Sequence, residues 1–324
     1  MILWPVERLI LRLTLTLAVL CVALMWLKGT VLGSSEYLFS MLCAVGLAFI
    51  GQVYRRLGRS ENIALMTHAA ALFLGFSAAA SLYNILLLPL SHAPIDPLLV
   101  RMDMWLGYSW PAFCAWVAQF PPLVTPLRIV YMSTLLQLLF VILFLGAVGD
   151  RRMLHRSALA LVIAGIVTIC VWSVFPSLGA SAYWLLDPKV DAIVRPVVSS
   201  AYGSHLTQIL HSGVGNIATM NINGLIGFPS FHTVMALTTL LAIWPYRWVR
   251  AVFLPLTALL LPAILVDGGH NLVDVLGGVF VLAFSWRLAM WVERGLAGKD
   301  AEAPALWFPI FGRAKPDRSR VIPG

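Results

Sequence analysis

The run "LTLTLAVLCVALMWL", residues 13–27, carries no charge and no turn residue. Such runs recur near residues 9–27, 36–53, 63–90, 125–147, 156–176, 229–246, 250–266 and 270–292. A hydrocarbon core about 30 Å thick takes roughly 20 helical residues to cross, so the chain offers about eight spans. Of its 324 residues 60% are hydrophobic and 11% charged, a balance that excludes an ordinary soluble domain. Within lipid every backbone N–H and C=O needs a partner, which leaves helices or closed barrels. The alternating pattern of barrel strands is absent, so the expected fold is an all-α polytopic membrane protein.

Arg8 and Arg12 precede the first apolar run, but "ALMWLKG" closes it without a small-residue cleavage site. The run therefore reads as a retained signal anchor. Cys21, Cys43, Cys114 and Cys170 are scattered through apolar segments without metal-ligand spacing and read as free packing residues. A net charge of +8 could suggest nucleic acid, yet in a membrane protein the placement of the basic residues matters more than their sum. With a cytoplasmic N-terminus, seventeen of the 22 Lys and Arg fall on the cytoplasmic side. Only Lys28, Arg101, Arg128, Lys189 and Arg195 fall outside. This asymmetry puts both termini in the cytoplasm, as in a bacterial-type inner or plasma membrane.

On that topology the two long connections, about 91–124 and 177–228, both lie outside. The first contains Trp105, Trp110 and Trp116 and suits either an interfacial helix or a simple aromatic belt. The second is rich in Gly, Ser, Asn and His and reads as a partly ordered loop with a short helix near 202–211. The charged, proline-containing segment 296–324 reads as a cytoplasmic tail.

Ionisable groups in or at the mouth of spans are functional candidates. His232, in "GLIGFPSFHT", opens the sixth span from outside, and His270, in "VDGGHNLVDVLGG", opens the eighth from the same side. His270 and Asp274 are four apart, one turn on a helix. A carboxylate there can fix one ring nitrogen and leave the other to attack, although the same spacing also suits a plain surface hydrogen bond. Pro229 suits a first helical turn, whose free amides near Ser230 and Phe231 would form an anion site. His232, His270 and Asp274 could alternatively be metal ligands, while carboxylates that would orient such ligands are scarce on this side. Gly268, Gly269, Gly277 and Gly278 suit either close helix packing or room for a substrate. Asp267 could orient His270 or cap a loop, and His205 and His211 read as loop residues.

"FPSFHT" followed some forty residues later by "GGHNLVDVLGG" resembles the type-2 phosphatidic acid phosphatase superfamily, with its K-x6-R-P, P-S-G-H and S-R-x5-H-x3-D motifs. Pro229, Ser230 and His232 match the second motif, with Phe231 in place of glycine. His270 and Asp274 match the end of the third. Ala263 and Ile264 stand where the family has Ser-Arg, and Lys189 with Arg195-Pro196 is one residue short of the first motif. The spelling, with "IDPLLVRMDMWLG" upstream, looks most like the inositol phosphorylceramide synthase branch. The likeness covers roughly residues 63–292.

The resemblance implies a six-helix phosphatase-type core over residues 61–295, preceded by two accessory spans in 1–60, with an outer interfacial helix. It implies cofactor-free and metal-free phosphoryl transfer from a phospholipid, polyprenyl phosphate or other lipid phosphate. His270 would be the nucleophile, Asp274 its orienter, and His232 the acid and base. Ser230, Phe231, Lys189 and Arg195 would contact substrate, unless Lys189 and Arg195 instead snorkel or pair with Asp187 and Asp191. Hydrolysis and transfer to a lipid alcohol use the same residues, so both stay open. A protein that binds or transports the headgroup without cleaving it is the competing reading.

Overall fold

A computed structural model describes residues 2–30, 35–213 and 225–297. The expected tail from residue 298 onward and the part of the second long loop at 214–224 lie outside these. In chain order the helices are α1 (Pro5–Lys28), α2 (Ser35–Arg56), α3 (Glu61–Leu86), α4 (Asp96–Trp105), α5 (Trp110–Val117), α6 (Pro121–Met132) and α7 (Thr134–Ala147). They continue with α8 (Arg151–Val174), α9 (Ala180–Tyr183), α10 (Pro188–Val194), α11 (Ser200–Ser212), α12 (Phe231–Ile243), α13 (Arg247–Val266) and α14 (Leu272–Ala297). No strand occurs among the described residues, as the sequence predicts.

Among the described residues six helices are long and apolar enough to cross a bilayer: α1, α2, α3, α8, α13 and α14. Their ends follow local chemistry. Pro5 starts α1 and Gly29, at φ 62°, stops it. Ser60 caps α3 through Ile63 N at 3.3 Å, and Asp150 caps α8 through Met153 N at 3.1 Å.

Three expected segments are built differently. The span predicted over 125–147 is two helices, α6 and α7, interrupted at Ser133. There Ser133 Oγ donates to Val130 O at 3.0 Å and Thr134 Oγ1 to Tyr131 O at 2.6 Å. Hydroxyls that engage nearby backbone carbonyls compete with the helix ladder. The connection 91–124 holds two short helices, α4 and α5, and α5 meets α6 at 117°. The span predicted over 229–246 is the 13-residue α12, only about 20 Å long.

This short α12 is the centre of the bundle and packs against α7, α8, α13 and α14. Its Val234, Met235, Ala242 and Ile243 join Leu138, Leu145 and Leu161 in the main core cluster. Peripheral α2 packs on α3 and leaves Phe39, Leu42 and Phe49 exposed, as a lipid-facing helix does. At one end of the bundle Arg55 bridges Glu7 at 2.6 Å and Glu61 at 2.8 Å. Arg156 meets Glu293 at 2.7 Å, so α1, α2 and α3, and α8 with α14, are tied by ion pairs. At the other end, Lys28 Nζ donates to Leu86 O at 2.6 Å and Leu88 O at 2.5 Å.

Candidate active site

Two chain segments converge at this second end. The first is the turn Gly227–Ser230, which feeds α12. Ser230 is its N-cap, with Oγ accepting from Thr233 N at 3.4 Å. Pro229 thus precedes the cap rather than opening the first turn. The expected anion site is also smaller than the sequence suggests, because Ser230 N is engaged by Asp274 O at 2.9 Å.

The second segment is Asp267–Asn271, which turns through Gly269 at φ 61° into α14. His270 stands just before the helix and Asp274 in its first turn. The predicted pairing forms across the helix start: His270 Nδ1 lies 3.2 Å from Asp274 Oδ2, which also accepts Asn271 N at 2.9 Å. One oxygen therefore fixes both the ring and the backbone that carries it. The remaining ring nitrogen, Nε2, lies 3.4 Å from Ser230 Oγ. His270, Asp274 and Ser230 are all buried.

His232 follows one residue into α12. Its ring stacks on Tyr131, 4.6 Å between centroids, and stands 6.4 Å from the ring of His270. Two histidines 38 positions apart in sequence thus lie edge to face with each other. The neighbouring glycines serve helix contact: a Cβ on Gly278 would lie 2.5 Å from Ser230 O, and one on Gly277 2.5 Å from Phe228 Cε2. Substitution there would drive α12 and α14 apart.

Helix α4 positions both segments. Asp96 and Asp103, seven residues apart, lie on one helical face. Asp103 accepts Leu272 N at 3.0 Å and Val273 N at 2.9 Å, capping α14 from a distant element. Asp96 accepts Ser177 Oγ at 2.8 Å, Leu178 N at 3.1 Å and Gly179 N at 2.9 Å. The loop so held bonds to both approaches to the histidines, through Gly227 N to Ser177 O at 2.8 Å and Ser181 N to Gly269 O at 3.1 Å. Gly179 is required there: its φ is 91°, and a Cβ would meet Gly269 O at 2.7 Å. Burial pushes the carboxyls of Asp96 and Asp103 up to about 6, against the lowering effect of these N–H donors.

Among the basic residues expected outside, Arg128 reaches a buried carboxylate, with Nε 3.4 Å from Asp267 Oδ1. Its Nη2 donates to Val194 O at 2.7 Å and Arg195 O at 2.5 Å, tying α10 to the start of the His270 turn. Burial pushes the Asp267 carboxyl up to about 6, with Arg128 opposing the rise. Lys189 and Arg195 are exposed. Arg195 Nε donates to Ala192 O at 3.0 Å and Asp187 caps α10 through Lys189 N at 2.8 Å, so neither residue pairs with Asp187 or Asp191 as the sequence allowed. His205 and His211 are exposed on α11. Among the described residues no three His, Cys, Asp or Glu side chains gather as a metal-ligand set, so the metal reading of His232, His270 and Asp274 finds no geometric support.

A cavity of about 310 Å³ opens beside His232 and runs between α3, α7, α8 and α12. Phe231, the residue that departs from the P-S-G-H pattern, lines its wall.

Asp96, Asp103, Tyr131 and Arg128 do not stand out as site residues in the sequence. Carboxylates two turns apart in an apolar segment and a lone arginine in an apolar run were the available signals. A family model of the PAP2 superfamily matches residues 97–288, more than half of the chain. The chain belongs to the PAP2 superfamily. No curated protein and no solved structure matches it. The superfamily match includes both histidines, Asp274 and Asp103, and leaves α1, α2 and α3 of this PAP2 protein outside. Membership supports a phosphatase-type activity on a phosphate ester at a membrane.

Proposed function

We propose that this PAP2 protein is an integral membrane phosphatase or phosphotransferase that cleaves a lipid-linked phosphate ester through a phosphohistidine. The observation that carries the reading is His270, with Nδ1 held by Asp274 and Nε2 directed toward Ser230 Oγ. In the first step Nε2 attacks phosphorus in line, an N–P bond forms and the ester P–O bond breaks. His232 gives its proton to the departing oxygen. In the second, His232 takes a proton from water or an alcohol whose oxygen displaces Nε2. Free amides of the α12 start would stabilise the equatorial oxygens, with Lys189 and Arg195 as further phosphate contacts. The residues invoked require no metal or cofactor.

Residues 61–295 would form the catalytic unit, 1–60 an accessory pair of spans and 296–324 a cytoplasmic tail. The lysine and arginine asymmetry supports an active site at the outer leaflet. Transfer to a lipid alcohol, as in the inositol phosphorylceramide synthases, is the second reading; the apolar cavity beside His232 favours an acceptor that water-filled access would not need.

Purified protein given a labelled phospholipid or lipid phosphate, with and without a lipid alcohol, separates these readings. Free phosphate alone means hydrolysis and acceptor-dependent product means transfer. His270→Ala should abolish both. Binding without either product would instead identify a lipid-binding or transport protein.

A further inference from the structure

The cavity beside His232 is lined by Phe231, His232 and Met235 of α12, but His270, Ser230 and Asp274 form no part of its wall. It therefore meets the acid–base histidine and not the nucleophile. Along α8 the wall extends from Ala158 to Ile169, about 16 Å at helical rise, which is roughly half the thickness of a hydrocarbon core. Ile10 of α1 and Leu72 of α3 close the far end with Ala158, and side chains such as Phe76, Leu138 and Leu161 make the interior apolar.

Ser77, Ser81, Asn84, Thr168 and His232 break that surface. Asn84 Oδ1 and Thr168 Oγ1 are buried and have no hydrogen-bond partner; the residues are 8% and 1% exposed. Buried polar groups are normally paired, and leaving one unpaired is costly. Both stand at the same end of the cavity. Asn84 is one turn before Leu88 and Thr168 one turn before Trp172, and these two pack with Leu225. Leu225 leads into the turn that carries His232.

We propose that this cavity holds a hydrocarbon chain of the lipid whose reacting oxygen meets His232, and that Asn84 and Thr168 hydrogen-bond a hydroxyl or amide on that lipid near the reacting oxygen. This rests on the phosphoryl-transfer reading above and assigns its lipid to one side of the reaction. When the N–P bond forms at His270 and the P–O bond breaks, the lipid in the cavity receives the proton of His232 and is released as an alcohol. In the opposite direction the same cavity presents a lipid alcohol to His232, which removes its proton as its oxygen attacks phosphorus. The polar pair makes the site selective for a lipid with a hydrogen-bonding group over a plain alkyl chain. Asn84 lies outside the residues matched by the superfamily model, so half of the polar pair is supplied by a part of the chain that the match does not cover.

The test uses radiolabelled hexadecyl phosphate and its analogue with a hydroxyl on the carbon next to the ester carbon. Binding and turnover are measured together on the full-length protein in detergent. Wild type should bind the hydroxylated lipid about tenfold more tightly, the effect of a well-placed hydrogen bond. Thr168→Val, which keeps the side-chain shape, and Asn84→Leu should each reduce that ratio to about two or less. Ala158→Trp, which fills the far end, should shift the ratio of hexadecyl to octyl phosphate binding toward the shorter chain by about tenfold. Ratios read on one preparation are insensitive to the fraction that is folded. An unchanged hydroxyl preference in both polar variants, or an unchanged chain-length ratio in Ala158→Trp, would overturn the assignment. Intact binding preferences without turnover would instead overturn the phosphoryl-transfer reading and leave the lipid site standing.

Discussion

Among single residues, the proposed chemistry depends on which nitrogen of His270 is free. Asp274 Oδ2 lies 3.2 Å from Nδ1, an arrangement that favours the Nδ1–H tautomer and leaves Nε2 as the proposed nucleophile. Asp274→Asn can place an amide donor against Nδ1, favouring the tautomer whose Nε2 carries the proton. Turnover should fall by about 10²–10⁴-fold, while the purified protein keeps its helical circular dichroism. His232→Ala should lose a similar factor on alkyl esters, whose leaving oxygen needs a proton, and far less on an aryl phosphate in single-turnover measurements. Equal losses on both would remove His232 from the acid role. His270 with Asp274, and Ser230 with His232, stand out in the sequence as candidates because each pair has a local signature, a spacing of four or a Pro-Ser-x-His turn. Asp103 and Arg128 do not, since their partners lie 170 and 139 positions away and no local rule connects them.

At the scale of elements, the site is set by helix ends rather than helix faces. The start of α14 is capped by Asp103 of α4, and the loop before α9 is held by Asp96 of the same helix. The sequence makes His270 the opening residue of a span; the structure places it two residues before the helix, because Gly269 turns the chain and the distant cap starts α14 at Leu272. Hydropathy alone also overextended α12, whose neighbours in the run, Trp244 to Tyr246, form the turn into α13. Asp96 gives this arrangement a pH dependence. Its carboxyl titrates near 6 in the fold and near 3.8 otherwise, so the folded state binds the proton more tightly. That stabilisation is fully present below the ordinary value and is lost as pH rises through about 6. Thermal unfolding in detergent should show wild type losing stability over this window. Asp96→Asn, which cannot ionise, should show a shallower loss, reduced but not abolished because Asp103 and Asp267 also titrate high. An unaltered slope would contradict the assignment.

At the scale of the whole molecule, the all-helical bundle was legible because apolar runs of span length admit few other folds. The way α6 and α7 divide at Ser133 and the bend between α5 and α6 were not, since both depend on hydroxyl bonding and tertiary docking that hydropathy does not register. The bundle has two distinct ends. One carries the Glu7–Arg55–Glu61 pairs and the other the histidines. On the proposed topology the first end faces the cytoplasm, so an impermeant thiol reagent on intact cells should label Asp187→Cys, on the exposed start of α10, and leave Arg59→Cys unlabelled until the membrane is opened. The reverse pattern would invert the proposed topology. A covalent phosphohistidine is tested by quenching the purified protein with phosphate-labelled lipid in alkali, which preserves N–P bonds, and mapping the label by mass spectrometry. Phosphate should appear on His270, be lost in His270→Ala and be chased by water or a lipid alcohol. Label on another residue, or turnover retained by His270→Ala at the wild-type rate, would contradict it.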